Sequence, residues 1–444
     1  MQEANWLEKL GEKKPVIAVV GLGYVGLPTA LNFHDAGYRV VGIDVSEKVV
    51  ETLESGKVHL SDTSFNVEIP IDSDSWNVTT DFADGIVASD VVLITVPTPV
   101  NNDKSPDLSF VRSAASSVLD NLNRNNRTIV VIESTVYPGV TREIVEELCQ
   151  ERGISLGTEV VPAYCPERVD PGPNGREIGA VAQIVGCDDV KVGVFLAEMF
   201  SEITSEKSTY VGKIEVAEAA KLIENVQRDI DIAFVNELAI VLPMIGVDVE
   251  EVLEAASTKW NFHRHTPGVG VGGHCIPVDP YYYITLAEKI GFPSALANAS
   301  RQINSSMPII AAEQIIDIVG SGNGAKILVL GYSYKPGLGD IRETPVEELT
   351  KKLSSAGNKV VIWDPLVRDE DFPEWAERII DPLKLNEIDA VVLATAHQEV
   401  IEIEWSELAS RCNKAVIFDG RRVLDRQEME EVGWEYYGIG VPGK

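Results

Sequence analysis

At 444 residues, 45% of them apolar, the chain is longer than one hydrophobic core serves, so two or three domains are expected. With 69 acidic against 38 basic side chains, its formal charge of −31 repels polyphosphate and anionic lipid. That excludes a broad nucleic-acid or membrane-surface footprint and requires any phosphate site to be locally basic; the same acidity equally serves solubility or a saline cytoplasm.

The opening segment, MQEANWLEKLGEKKP, has no cationic start followed by an apolar run and does not read as a signal peptide. Stretches as apolar as Asp90 to Val100 are broken by prolines well short of the roughly 20 residues that span a bilayer. The five cysteines (Cys149, Cys165, Cys187, Cys275 and Cys412) are scattered without CxxC spacing, so neither a disulfide framework nor a metal site is expected. A reducing, cytoplasmic setting fits.

From Pro15, β-branched runs alternate with amphipathic stretches: VIAVVG, YRVVGID, DVVLITVP, TIVVIEST and TEVVPAYCP, with KSTYVG near residue 210 as a last strand. That alternation predicts an α/β domain built on a parallel sheet over residues 1–212. Between Lys213 and Val241 apolar residues recur at helical spacing with no Gly or Pro, which predicts one helix of about seven turns or more. Helix continues to residue 319, interrupted by the glycine-rich Pro267 to Gly273, giving a central helical segment, 213–319. At Ala325 the rhythm restarts with KILVLGYSYKP, NKVVIWDP, DAVVLATAH and KAVIFDGR, so residues 320–444 form a second Rossmann-like doubly wound domain.

Gly21, Gly23 and Gly26 follow the first strand and open a helix, the context in which a GxGxxG turn brings a pyrophosphate to the helix N-terminus. The second strand ends at Asp44, eighteen residues after Gly26, where a carboxylate accepts from ribose hydroxyls and repels a 2′-phosphate. NAD is therefore expected over NADP, although a flavin or nucleotide-sugar binder uses the same turn. GYSYKPG replaces the fingerprint in the second domain, which is expected to hold something other than a dinucleotide.

On the long helix Lys221, Asn225 and Arg228 share a face, flanked by apolar residues. In PGVGVGGHCIPVDP, Cys275 follows a glycine-rich turn and Asp279 lies four residues on. Glycines there let a sulfur approach substrate and let backbone N–H groups face an oxyanion. A buried structural cysteine, or a dyad with His274, remain the alternatives at this point.

The ordered set VGLGYVGLP, VPTP (96–99), ESTVYPG (133–139), YCPERVDPG (164–172), KLIEN (221–225), GGHCIPVDP (272–280), YKPGLGDIRETP (334–345) and FDGRRV (418–423) closely resembles the UDP-glucose/GDP-mannose dehydrogenase family. The likeness runs from about Val16 to Gly433. It implies Cys275 as nucleophile with Lys221, Asn225 and Asp279 as partners, and Glu167 with Thr135 placing the hydrolytic water. It also implies Tyr24, Val25, Thr98, Thr135 and Arg342 as cofactor contacts, the last often across a subunit boundary. Arg168, Val169, Lys221, Asn225, Arg228, Gly268, Gly272, Tyr334, Lys335 and Arg421 would contact a UDP-sugar.

Oxidising an alcohol to an acid takes two two-electron steps, and a thiolate that captures the intermediate aldehyde prevents its escape. A lysine beside the thiol favours the thiolate and steadies the oxyanion, and a carboxylate near water serves hydrolysis. Within the resemblance, EAASTKWNFHRHTPGVGVGGHC looks most like the branch acting on UDP-N-acetylmannosamine or UDP-N-acetylglucosamine, with UDP-glucose as the alternative. A hydroxyacid-type dehydrogenase that stops after one oxidation, or a nucleotide-sensing regulator, would not need Cys275, Glu167 and the basic set together. The long helix carries more apolar surface than one small domain covers, so a homodimer or higher homo-oligomer is expected.

Overall fold

The computed structural model describes residues 2–60, 67–168, 178–320, 322 and 324–443. The chain divides into two compact units, one of Met1–Leu60, Phe65–Glu224 and Tyr281–Phe292, the other chiefly of Asn225–Pro280 and Pro293–Lys444.

The first unit is built on eight strands: β1 (Val16–Val20), β2 (Arg39–Ile43), β3 (Trp76–Thr79), β4 (Val91–Ile94), β5 (Thr128–Ile132), β6 (Val160–Tyr164), β7 (Ile184–Cys187) and β8 (Thr209–Gly212), in the order β3-β2-β1-β4-β5-β6-β7-β8. β4 and β5 are buried at every position, which is why their sequences are unbroken apolar runs with helices on both faces. Pairing is parallel from β3 through β6, but β7 runs antiparallel to β6 and β8 parallel to β7, so the sheet is not wholly parallel as expected. β3 and β7 had no strong signal, being short and in one case broken by Gly186, where a Cβ would meet Ala217 at 2.9 Å. An amphipathic helix, Gln2–Lys13, also precedes β1.

The second unit carries β9 (Lys326–Leu330), β10 (Lys359–Trp363), β11 (Glu377–Arg378), β12 (Ala390–Leu393), β13 (Val416–Asp419) and β14 (Glu435–Gly438), ordered β11-β10-β9-β12-β13-β14 and parallel throughout. Six strands in the order 3-2-1-4-5-6 thus occur twice, each with a switch point where connections leave in opposite directions. The likeness extends to side chains: Asp90 accepts from the Val16 N–H at the foot of β1, and Asp389 accepts from the Lys326 N–H at the foot of β9.

The predicted long helix runs Ile214–Val241, 28 residues or about eight turns. Within the second unit its buried Asp229 receives the Arg301 guanidinium at 2.5 Å, the Ser300 hydroxyl at 2.9 Å and the Asn304 amide at 2.7 Å, all from helix Ala295–Val319. A buried carboxylate is tolerable only when satisfied in this way. Among the described residues no helix is long and apolar enough to cross a membrane.

Candidate active site

In the first unit the crevice lies beyond the C-terminal ends of β1 and β4. Gly21 leaves β1 at φ 94°, a conformation costly for any side chain. Gly26 is buried against it, for a Cβ there would stand 1.8 Å from the Gly21 carbonyl oxygen. At Gly23, by contrast, a Cβ would meet nothing within 4 Å. Helix Gly26–Asp35 follows with no side-chain cap and no acidic residue in its first turn. Asp44, at the end of β2, accepts from the Leu22 N–H and the Ser46 N–H, each at 2.9 Å, which pins its carboxylate beside the turn while leaving it partly exposed.

A dinucleotide fits these residues: open space at Gly23, an uncapped helix N-terminus behind it and an oriented, accessible carboxylate. Tyr24 and Val25 lie in the same turn, and Thr98 in the loop after β4. His59, unremarked in the sequence, faces this region; burial lowers its imidazole's pKa against the raising pull of Asp44 and the Leu22 backbone.

The 133–139 loop is tied down by the Ser134 hydroxyl, which donates to the Val96 carbonyl at 2.7 Å. Glu218 secures its far end by accepting from Gly139 N–H at 2.6 Å and Thr141 N–H at 2.9 Å. Thr135 sits part-exposed between these anchors, Glu167 follows β6, and Lys221 is buried on the long helix. Arg168, expected on the nucleotide sugar, forms a two-pronged ion pair with Glu224 at 2.7 and 3.2 Å and donates to the Ala182 carbonyl at 3.0 Å. Val169 lies outside the described residues.

In the second unit the Asn225 amide donates to buried Asp279 at 2.5 Å, and the Cys275 carbonyl accepts the Asp279 N–H at 2.8 Å and the Val278 N–H at 3.1 Å, closing a tight turn. Asn225, Cys275 and Asp279 are thus held in one hydrogen-bonded group, whereas Arg228 is exposed. Among the cysteines, burial pushes the Cys149 thiol up to about 11, Cys187 and Cys412 to about 12, and Cys165 well above the ordinary thiol range. Cys275 is part-exposed and lies in a loop.

The glycine loop is a close-packing device. A Cβ on Gly268 would touch the Arg421 guanidinium at 3.0 Å, and one on Gly272 would overlap Tyr334 at 2.5 Å. Gly268 N–H donates to Asn236 at 3.0 Å and Gly273 N–H to the Arg342 carbonyl at 3.0 Å. These contacts bring Gly268, Gly272, Tyr334, Arg342 and Arg421 together. Burial lowers the Arg421 guanidinium to about 10, against the pull of Asp419. The Arg342 side chain is paired with Asp340.

Asp364 stands at the end of β10 as Asp44 does at the end of β2, but it is sealed. It accepts from the N–H groups of Tyr332, Ser333, Leu366 and Val367 and contacts His397 at 3.0 Å, with both side chains fully buried. His397 Nδ1 in turn accepts from Gly337 N–H at 3.1 Å, pinning the loop that carries Tyr334 and Lys335. The acceptor positions of Asp364 are thus committed to the loop and to His397, whereas the Asp44 carboxylate remains partly exposed. The parallel between YRVVGID and NKVVIWDP was the sequence signal for Asp364.

Residues 15–204, 215–306 and 328–426 match, respectively, the NAD binding, central and UDP binding domains of the UDP-glucose/GDP-mannose dehydrogenase family. The chain is 36% identical to the UDP-N-acetyl-D-glucosamine 6-dehydrogenase of Salmonella typhi over 93% of its own length and 97% of that protein. It is 33% identical to the UDP-N-acetyl-D-mannosamine dehydrogenase of Pyrococcus horikoshii, over 96% and 99%. A solved UDP-glucose dehydrogenase from Pyrobaculum islandicum superposes with a TM-score of 0.87 at 28% identity, covering 97% of this chain and 98% of that one.

Proposed function

The chain belongs to the UDP-glucose/GDP-mannose dehydrogenase family, and from that premise we propose that it oxidises C6 of a UDP-linked N-acetylhexosamine to the carboxylate through a covalent bond to Cys275. It is an NAD-dependent oxidoreductase acting on a nucleotide sugar. The observation that carries the covalent role is the setting of Cys275: it stands part-exposed in a loop after the glycine-rich turn, its carbonyl accepting from the Asp279 N–H while the Asp279 carboxylate accepts from the Asn225 amide.

The division of labour follows the segments: NAD on 1–212, nucleotide sugar on 320–444, catalytic cysteine on 213–319. Gly21, Gly23, Gly26 and Asp44 hold the dinucleotide, with Tyr24, Val25, Thr98, Thr135 and Arg342 as further contacts. NAD, when bound, accepts the electron pair in each of the two oxidations. The Cys275 thiolate adds to the C6 aldehyde, forming a C–S bond, and Lys221 has the role of steadying the oxyanion that results. The second oxidation leaves a thioester. Glu167, with Thr135 orienting the water, takes a proton as water attacks the carbonyl carbon; the C–S bond breaks and the thiolate is restored. Asn225 and Asp279 hold the turn and the substrate oxygen, and Gly268, Gly272, Tyr334, Lys335 and Arg421 receive the nucleotide diphosphate, joined by Arg168, Val169 and Arg228. Arg168 would then exchange Glu224 for substrate.

The N-acetylhexosamine is supported by the resemblance around Cys275 and by the substrates of the Salmonella and Pyrococcus relatives; UDP-glucose is the second reading, favoured by the Pyrobaculum superposition. A homodimer is supported by Ile223, Phe234 and Val241, each about half exposed or more on the long helix. A cytoplasmic setting is supported by five scattered cysteines without CxxC spacing. A panel of UDP-N-acetylglucosamine, UDP-N-acetylmannosamine and UDP-glucose with NAD tests the reading: about two NADH per uronic acid are expected, with an N-acetylhexosamine preferred. One NADH per product, or no preference for the N-acetyl group, overturns it.

A further inference from the structure

In the first unit Glu133, the residue after β5, is 4% exposed, and its Oε1 is buried with no hydrogen-bond partner among the described residues. An isolated buried carboxyl is costly and calls for an explanation. Glu133 lines a small cavity together with Thr29, Cys165, Glu167 and Gln183. The Oε1 of Gln183, itself 4% exposed, is likewise buried without a partner. The cavity has room for about one water, and two orphaned oxygens with the Thr29 hydroxyl and Glu167 supply the polar partners a buried water requires.

Burial first, and the charge of Glu167 second, raise the Glu133 carboxyl well above the ordinary range, so this side chain is a neutral acid with an O–H to donate. The other ionisable groups nearby do not reverse this. The Cys165 thiol is itself held protonated by burial, and the Arg168 guanidinium is committed to Glu224. Two carboxyls in one pocket, one buried and one part-exposed, divide the roles of donor and anion between them.

We propose that Glu133 is a positioning residue for the hydrolysis step, donating a hydrogen bond through a water held in this cavity to Glu167 and thereby keeping the Glu167 carboxylate ionised and aimed. The proposal rests on the reading of Glu167 as the hydrolytic base. The proton of Glu133 stays on Glu133; the proton removed from the attacking water goes to Glu167.

The test compares Glu133→Gln, Glu133→Leu and Gln183→Leu in the full-length enzyme, with UDP-N-acetylhexosamine and NAD. Gln carries an N–H donor of similar shape, so Glu133→Gln retains turnover within a few-fold and keeps the acid limb of the kcat–pH profile in place. Glu133→Leu still gives a first-turnover burst of about two NADH per site but turns over roughly tenfold to a hundredfold more slowly. Its acid limb moves up by about one pH unit, because Glu167 loses the donor that favours its charge. Gln183→Leu, which removes another partner of the water, moves the limb in the same direction and serves where Glu133→Leu does not fold. Loss of turnover in Glu133→Gln would overturn the proposal by showing that Glu133 must ionise; unshifted acid limbs in both leucine variants would overturn it equally. Glu167→Gln separates the two readings: if it turns over like wild type, the role of Glu167 itself fails, whereas if it stalls after the burst and the leucine variants behave as wild type, only the role of Glu133 fails.

Discussion

Gly23→Ala separates folding from cofactor binding more cleanly than any other change in the fingerprint. A Cβ at Gly23 meets nothing within 4 Å, and its backbone does not adopt a positive φ, so the substitution leaves stability within about 0.5 kcal/mol of wild type. The added methyl lies where a pyrophosphate approaches the helix N-terminus. Overfilling a close contact by one methyl costs about 1–3 kcal/mol, which weakens NAD binding roughly 5- to 150-fold. Gly26→Ala is the opposite case: its Cβ would stand 1.8 Å from the Gly21 oxygen and 2.4 Å from the Thr95 hydroxyl, so the turn must move and stability falls by roughly 3 kcal/mol or more. Calorimetric titration with NAD beside thermal melting distinguishes them. A Gly23→Ala protein that binds NAD as tightly as wild type, or that melts early with its NAD affinity intact, would refute the placement of the pyrophosphate.

Three further outcomes follow from the geometry. With Asp44 facing the ribose, kcat/KM for NADP should fall roughly a hundredfold or more below that for NAD, and Asp44→Ser should narrow the gap; comparable efficiencies in wild type contradict that placement. At Asp364 burial opposes ionisation, but His397 and the N–H groups of Ser333 and Tyr332 outweigh it and hold the carboxyl at about 2 against an ordinary 3.8. A depressed folded value stabilises above the unfolded one, so about 2–3 kcal/mol is fully present above roughly pH 4 and is lost as pH falls towards 2. His397→Leu should cost about 3–5 kcal/mol in urea unfolding at pH 7 and flatten that pH dependence, an unchanged slope being the contrary result. Wild type should scatter light as a dimer or larger assembly and Phe234→Glu on the long helix as a monomer; an unaltered mass removes that face from the proposed interface.

The sequence carried the fold where one period dominated. β4 and β5, buried throughout, and β1, buried after Val16, show as apolar runs, and the long helix as a stretch without Gly or Pro. β3 and β14 escaped because they are short edge strands of mixed burial, β7 because its four residues, one of them Gly186, make too short a run, and no pattern announced the antiparallel step at β7. In the site, Gly21, Gly26 and Asp44 were legible because backbone geometry demands those residue types at those spacings. Which groups pair with which was not legible: Arg168 with Glu224, Asp364 with His397 and Glu133 with its cavity all join residues far apart in the chain. Glu133 lay in plain view within ESTVYPG, but only its burial beside Glu167 gives it a role.

The central claim, a sugar bonded to Cys275 between the second oxidation and release of the acid, is tested most directly by mass spectrometry of Glu167→Gln quenched after one turnover with NAD and the nucleotide sugar. The account predicts a burst of about two NADH per site, then a stall, with the thioester as added mass on the peptide containing Cys275. Cys275→Ala should bind NAD normally and make uronic acid several orders of magnitude more slowly. An unmodified Cys275 peptide in the stalled enzyme, or uronic acid made by Cys275→Ala at near wild-type rate, would contradict it.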